Sequence, residues 1–466
     1  MPAAAKTGRL VLFGIKKEVI VFFPRKKVLA VLILVSFTNL SSVFADTGLS
    51  EVEELKKEIA VMQERLNAME TRLRQSEMKT SAIEKEKKTA ETGIQAAVTS
   101  LAKEIEFHGF VDTSYILNTN TPKSPNPRTN NFRIFDTDAN GFMFNMAQLN
   151  FEKPISKESP VGFRTDLDFG QDAKLIHANG LGDPNDVFDL QQAYAQLMIP
   201  FSIPFVDTLS FKAGKYVTLM GAEVIESVNN WNFSRSFLFG YAIPFTHLGV
   251  RAYYKPLAEV PVDAYIGIVN GWDNVVDNNA AKTLEAQINY YPNDNLSFSI
   301  GGMFGPERAD NNRDFRDLID FVATYKVTDK LTLKANYDYG WEKNGATYLP
   351  SSGDSPTATG LDDKDASWQG IALYAKYDIY DWWSLAGRCE YFSDPQGVRT
   401  GVFVNNNGMD HLDLMEYTLT SEFKIFKNLI ARLEYRYDKA SNQVFFKDKV
   451  TANNQSTFAA EMIYKF

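Results

Sequence analysis

The chain closes on Phe458-Ala459-Ala460-Glu461-Met462-Ile463-Tyr464-Lys465-Phe466, and the alternation in this stretch decides the fold. Successive side chains of an extended strand point to opposite faces. Phe458, Ala460, Met462, Tyr464 and Phe466 therefore share an apolar face, opposite Ala459, Glu461, Ile463 and Lys465. The same dyad pattern recurs from Ile105 onward in about sixteen segments, among them 105–117, 331–341, 382–392, 428–439 and 455–466. A soluble sandwich alternates as well, so the connections between segments carry the distinction. Tight links such as 154–159, 292–294, 328–330 and 378–381 take turns with long polar ones such as 118–141, 170–188, 217–244, 342–365, 393–409 and 440–454. Short turns at one end and long loops at the other are the mark of a transmembrane antiparallel β-barrel.

Period 2 also assigns the facing. On 331–341, Leu331, Leu333, Ala335, Tyr337 and Tyr339 face lipid, and Thr332, Lys334, Asn336 and Asp338 face the lumen. On 428–439, Leu429, Ala431, Leu433, Tyr435 and Tyr437 oppose Arg432, Glu434 and Arg436. A charge on the lipid face costs ~2–4 kcal/mol at the bilayer midplane, so these charges belong inside. Tyr290, Tyr291, Trp341, Trp382 and Trp383 fall at strand ends, where interfacial girdles form. A sixteen-strand barrel with a charged interior is wide enough to leave a watery channel.

Composition agrees. Aromatic residues make up 13%, with 34 Phe and 21 Tyr, which favours strands and membrane interfaces. Mean hydropathy is −0.26, and the barrel region holds no long apolar run, which excludes a helical membrane protein but not a barrel. Ahead of the barrel, residues 1–45 carry a secretory signal: Arg25, Lys26 and Lys27, the apolar run 28–37, and Val43-Phe44-Ala45 before Asp46. The apolar run is too short to span a bilayer. The stretch 1–24 is long for such a signal, the pattern of a start codon set too far upstream. Cleavage after Ala45 leaves a chain of net charge −15, a poor binder of nucleic acid.

Residues 46–104 read as a periplasmic coiled coil. An unbroken 3-4 repeat runs through Val52, Leu55, Ile59, Met62, Leu66, Met69, Leu73, Ser76, Thr80, Ile83, Lys87, Ala90, Ile94, Ala97 and Leu101, with charges at the outer positions. A repeat held in register over this length argues for a supercoiled oligomer, and the alternative is a lone helix folded back on a domain. The polar centre at Ser76, Thr80 and Lys87 weakens the seam and leaves the number of strands open.

The loop 217–244 carries the sharpest expectation. Met220, Val224, Ile225, Val228, Trp231, Phe233, Phe237, Leu238 and Phe239 make it too apolar to hang in water, so it is expected to fold inward and narrow the pore. It offers Glu223, Glu226 and Arg235 to the lumen, and the inner wall offers Arg164, Arg388, Arg432 and Arg436. Opposite charges across a constriction would set up a transverse field. The competing reading pairs the arginines with wall acids such as Asp166, Asp168, Glu390 and Glu434.

His108-Gly109-Phe110-Val111-Asp112, Gln192-Ala193-Tyr194 and the run from Gly214-Lys215 through Gly221-Ala222-Glu223, Asn229, Ser234-Arg235-Ser236 and Pro244 to Leu248-Gly249-Val250-Arg251 resemble the OmpL-like β-barrel porin-2 family. The resemblance covers nearly all of residues 105–466 and implies an outer-membrane pore with no assigned solute. The coiled coil resembles the stalks of trimeric phosphate-selective or dicarboxylate porins, which implies a homotrimer. Phe458, Tyr464 and Phe466 are similar to the C-terminal signal read by the outer-membrane assembly machinery, and the barrel wall would meet lipid and lipopolysaccharide.

Catalytic and metal chemistry leaves no trace. His108, His177, His247 and His411 lack ligand spacing, and no nucleophile motif or phosphate loop is present, so no cofactor, metal or enzymatic role is expected. Asp/Asn clusters at 183–186, 273–279 and 310–314 read as solvated loops rather than Ca²⁺ sites. Cys389 falls beside Leu385 and Tyr391 on an apolar face, as a packed or lipid-facing thiol. A pore for small hydrophilic solutes is the leading function. The alternative is an envelope tether, with the coiled coil linking the outer membrane to an inner layer.

Overall fold

A computed structural model describes residues 49–123, 129–257, 259–346, 365–401 and 411–466. The expected signal segment 1–45 lies outside the described residues. The chain divides into two units, one ending at Val98 and the other beginning at Thr99.

In the first unit runs a single helix, α1 (Leu49–Glu104 in full). Its heptad positions are bare: Leu55, Leu66, Met69 and Leu73 are 47–66% exposed. Side chains at Ile94, Ala97 and Leu101, the last expected seam positions, lie outside the described ones. Along the helix Lys87 and Glu91 approach to 3.9 Å on a fully solvated face, a pair worth little in water. Helix α1 is not apolar enough to cross a membrane.

The second unit is a closed barrel of sixteen antiparallel strands. In chain order they are β1 (Glu106–Asn118), β2 (Gly141–Lys153), β3 (Val161–Phe169), β4 (Phe188–Met198), β5 (Val206–Val217), β6 (Thr246–Pro256), β7 (Val262–Val269) and β8 (Thr283–Asn293). They continue with β9 (Leu296–Pro306), β10 (Phe315–Lys326), β11 (Leu331–Glu342), β12 (Ala366–Tyr380), β13 (Trp383–Asp394), β14 (Leu412–Phe426) and β15 (Leu429–Ala440). A small hairpin, β16 (Phe445–Lys447) and β17 (Val450–Ala452), sits apart in the last loop before the closing strand β18 (Asn454–Lys465). A short helix, α2 (Gln171–Leu175), follows β3.

Closure is made by β18 against β1, in register from Phe110 opposite Lys465 to Asn118 opposite Thr457. This ring leaves no free sheet edge, which is the condition for a sheet to sit in lipid. Facing follows the period: Leu433 and Phe458 are 57% and 50% exposed, while Arg432 and Arg436, of opposite parity on β15, are at 1%. At the short-turn end Tyr380, Trp382, Trp383 and Phe423 stack into an aromatic band, with ring centres 5.8–6.4 Å apart, the arrangement that anchors a barrel at the interface. Gly109 faces outward beside the C-terminus. The Phe466 ring covers it at 2.5 Å from where a Cβ would stand, so an aromatic fills the gap the glycine leaves in the wall.

The interior holds a core of its own. Phe135 from the first long loop, Ile176 after α2, and Met220, Ile225, Phe237, Leu238 and Phe239 from the third loop pack into one buried cluster with Trp272 and Trp368. Apolar side chains that cannot reach lipid are buried against each other inside the ring.

Candidate functional site inside the barrel

The segment 218–245, between β5 and β6, is the site's central element. Its polypeptide is bonded along its length to the inner wall. Gln287 on β8 donates to the carbonyl of Leu219 at 2.7 Å, and Lys334 on β11 donates to that of Ala222 at 3.0 Å. Arg388 on β13 meets the Glu223 carboxylate at 2.5 Å and donates to the Ser234 carbonyl at 2.7 Å. Arg432 on β15 donates to the carbonyls of Ser227 and Asn230 at 2.9 and 2.8 Å. Around the ring β13 stands eight places from β5, on the opposite wall. A segment that leaves β5 and is fastened at β13 and β15 therefore crosses the lumen.

Two wall carboxylates hold the middle of the crossing. Glu434 on β15 accepts the backbone N–H groups of Phe233 and Ser234 at 2.7 and 3.0 Å. Glu390 on β13 accepts those of Phe237 and Leu238 at 2.7 and 2.6 Å. Each acid takes two adjacent donors of a chain that forms no ladder there, which satisfies amides that would otherwise be buried unpaired. Beyond them the Trp368 indole donates to the Ala242 carbonyl at 3.0 Å. The apolar residues expected to drive this folding are buried or half-buried, except Val224, which is 41% exposed.

The expected charges are placed differently from one another. Glu223 is in direct contact with Arg388 rather than facing it across a gap, and it also accepts the N–H and hydroxyl of Ser236, both at 2.7 Å. Burial alone would raise its carboxyl, but the Arg388 guanidinium and the Ser236 donors hold it below the usual carboxylate range. Glu226 meets no arginine among the described residues; Gln191 and Gln148 donate to it at 2.7 and 3.3 Å. Arg235 turns away from any open space, donating to the carbonyls of Phe233 and Ile225 and lying 4.5 Å over the Phe135 ring. The folded loop supplies carbonyls nearer to it than any wall acid, so the guanidinium is consumed locally.

On the wall, Arg388 on β13 and Arg432 and Arg436 on β15 gather on either side of β14, and Arg164 stands apart on β3. Arg436 pairs with Asp438 at 2.7 Å and Glu416 at 3.2 Å, Arg432 with Glu422 at 2.7 Å and Glu461 at 3.1 Å, and Arg388 with Glu416 at 2.5 Å. Arg164 pairs with Asp166 at 2.9 Å and Glu152 at 3.3 Å. The wall acids thus divide their roles: Asp166 neutralises an arginine as expected, Asp168 accepts from Gln148, and Glu390 and Glu434 bind loop backbone instead. That backbone role escaped the sequence, because a lumen-facing glutamate looks the same whatever it accepts.

Two further loops enter the lumen that their polarity did not announce. Arg133 of the first pairs with Asp438 on β15 at 2.8 Å and with Asp136 beside it. The apolar residues Phe132, Ile134 and Phe135 on either side of Arg133 are the available signal. In α2, Asp172 is fully buried within the field of Arg235, Asp136 and Glu461, and burial pushes its carboxyl up to about 8. Phe458, Tyr464 and Phe466 lie on the outer face of the closing strand, about half exposed. Among the described residues no group of His, Cys, Asp and Glu is arranged to hold a metal ion.

A family model described as "Putative beta-barrel porin-2, OmpL-like" matches residues 104–466. The chain belongs to this porin family. No curated protein matches it by sequence. Among solved structures, the porin is similar to the outer-membrane channel DcaP of Acinetobacter baumannii, with 15% identity, TM-score 0.51, and coverage of 78% of this chain and 97% of that one. It is similar to OprB of Pseudomonas putida, with 11% identity, TM-score 0.51 and coverage of 79% and 96%. A third, described as an anion-selective porin from Comamonas acidovorans, shares 13% identity at TM-score 0.50, covering 78% and 99%. At these identities the likeness is one of fold. Family and barrel together place the protein in the outer membrane as a porin channel.

Proposed function

We propose that this porin passes small hydrophilic solutes or ions by diffusion through a lumen narrowed by the segment 218–245. The observation that carries the reading is the fastening of that segment to the wall opposite its origin, through Arg388, Glu390, Arg432 and Glu434. A strap held by paired charges has polar edges and a fixed position, so it limits solutes by size and leaves water able to pass. A cavity of about 970 Å³ leads from the short-turn mouth to the strap at Glu226, Val228 and Asn229. Short turns mark the periplasmic end of such barrels, and on this reading α1 is periplasmic and the long loops face lipopolysaccharide. Reconstitution in planar bilayers is the test. Discrete channels, with liposome swelling that falls off for larger sugars, support the reading; purified, folded protein that conducts nothing overturns it.

A second reading rests on α1. A heptad seam exposed along a single helix is the surface that other copies of the same helix would cover. Such a stalk would also serve as a tether to an inner envelope layer. Deleting residues 49–98 separates the two roles: envelope detachment with unchanged permeability supports the tether, and unaltered envelope attachment overturns it.

A further inference from the structure

The cavity at the short-turn mouth has an unusual charge balance for a chain with this excess of acid. Its lining brings the cationic side chains of Arg164, Lys212, Lys427 and Lys465 together with one acidic side chain, Glu226, and the Glu226 carboxylate already accepts from two glutamine amides. Arg164 is matched by Asp166 and Glu152. Lys212 is not matched. Among the described residues no carboxylate lies within ion-pair distance of its ammonium, which rests over the Tyr194 ring at 4.5 Å and within 5.8 Å of the Tyr216 ring centre. Its direct partner across β5 and β6 is Arg251, and like charges facing each other on adjacent strands destabilise a sheet. Arg251 is neutralised by both oxygens of Glu285, at 2.8 and 2.7 Å. Among the described residues Lys212 therefore keeps a positive charge that no carboxylate neutralises, half-buried behind a mouth rimmed by Lys427 and Lys465. Clefts with low-dielectric walls focus the field of such a charge on whatever enters.

We propose that this cavity is a binding station for small anions bearing a carboxylate or phosphate group, with Lys212 as the ligating cation. The proposal rests on the diffusion-pore reading and names the solute class for the space between the mouth and the strap. An anion seated there would relieve the Lys212–Arg251 repulsion and replace the weak tyrosine contact with an ion pair. The rim lysines would raise its local concentration at the entrance. The net negative charge of the chain resides elsewhere and does not set the preference at this point.

The experiment is single-channel recording in chloride at constant ionic strength, with inorganic phosphate added to the short-turn side. Phosphate should reduce the chloride-carried current of the natural protein. Lys212→Gln should raise the phosphate concentration needed by about tenfold or more, and Lys212→Arg should keep it near the original value. A conducting channel that phosphate does not affect, or that Lys212→Gln leaves equally sensitive, overturns the anion station and leaves the pore intact. Absence of any conductance in the natural protein overturns the pore reading and the station with it. Conductance of each variant reports that it has folded.

Discussion

Replacing both anchoring carboxylates with amides, as Glu390→Gln with Glu434→Gln, asks whether the wall positions the strap. In the native protein these two side chains accept four backbone N–H groups, from Phe233, Ser234, Phe237 and Leu238, at 2.6–3.0 Å. Glutamine keeps the size but has one carbonyl oxygen, so each replacement keeps one acceptor and turns an NH₂ toward the other donor. Two charge-assisted bonds are lost, at about 1.5–3 kcal/mol each. The docked state of residues 233–238 is then weakened by about 4 kcal/mol, a shift of ~10³ in its equilibrium with an undocked one. Glu223 and Arg432 still hold the earlier part of the segment, so the loss is confined to the second half. Single-channel conductance should rise and its open-state fluctuations should broaden, and trypsin should gain access to the bond after Arg235, which is only 5% exposed. Conductance, noise and tryptic pattern all matching the unaltered protein would show that apolar packing alone holds the strap, and would refute the role given to the acids.

Raising the pH should loosen the packing of α2. With its carboxyl pushed up to about 8 by burial, Asp172 binds its proton more tightly in the folded loop than in the unfolded chain. The stabilisation is complete below the ordinary aspartate range and is lost as pH rises through about 8. Hydrogen exchange at residues 171–176 should speed up over that interval, and Asp172→Asn should abolish the dependence; an identical pH profile in that variant contradicts the assignment. Gly340→Ala should destabilise the barrel by about 1–3 kcal/mol through overpacking, since a Cβ there would stand 2.1 Å from the Trp368 ring that fastens Ala242; a thermal midpoint at or above that of the native protein argues against it. On the proposal that copies of α1 pair along their seam, Leu66→Asp with Leu73→Asp should lower the particle mass in analytical ultracentrifugation while leaving single-channel conductance unchanged. A particle mass unaltered by that pair overturns the proposed seam.

Much of this molecule was legible strand by strand. The segment 331–341 is found at Leu331–Glu342, 382–392 at Trp383–Asp394, and 455–466 at Asn454–Lys465. Each was read from alternation alone, which is local: two faces in two solvents impose period 2 wherever a strand separates water from lipid. Inward folding of the loop 217–244 was legible too, since its aromatic and aliphatic residues had no other place to go. The hairpin at Phe445–Ala452 and the entry of the first loop went unread, because short segments in polar surroundings carry no period.

What the order of residues could not state is which partners meet across the ring. Glu390 and Glu434 are lumen acids by parity, and only the closure of β18 on β1 brings them under a segment that starts on the far side of the ring. The same closure sets Lys212 opposite Arg251 while giving Arg251, and not Lys212, a carboxylate. The sequence by itself determined a barrel with a polar inside and a loop too apolar to remain outside it. The tertiary structure decided which charges are cancelled and that Lys212 is not, because polarity and period are properties of a residue and its neighbours in sequence, whereas charge pairing depends on distances that exist only once the ring is closed.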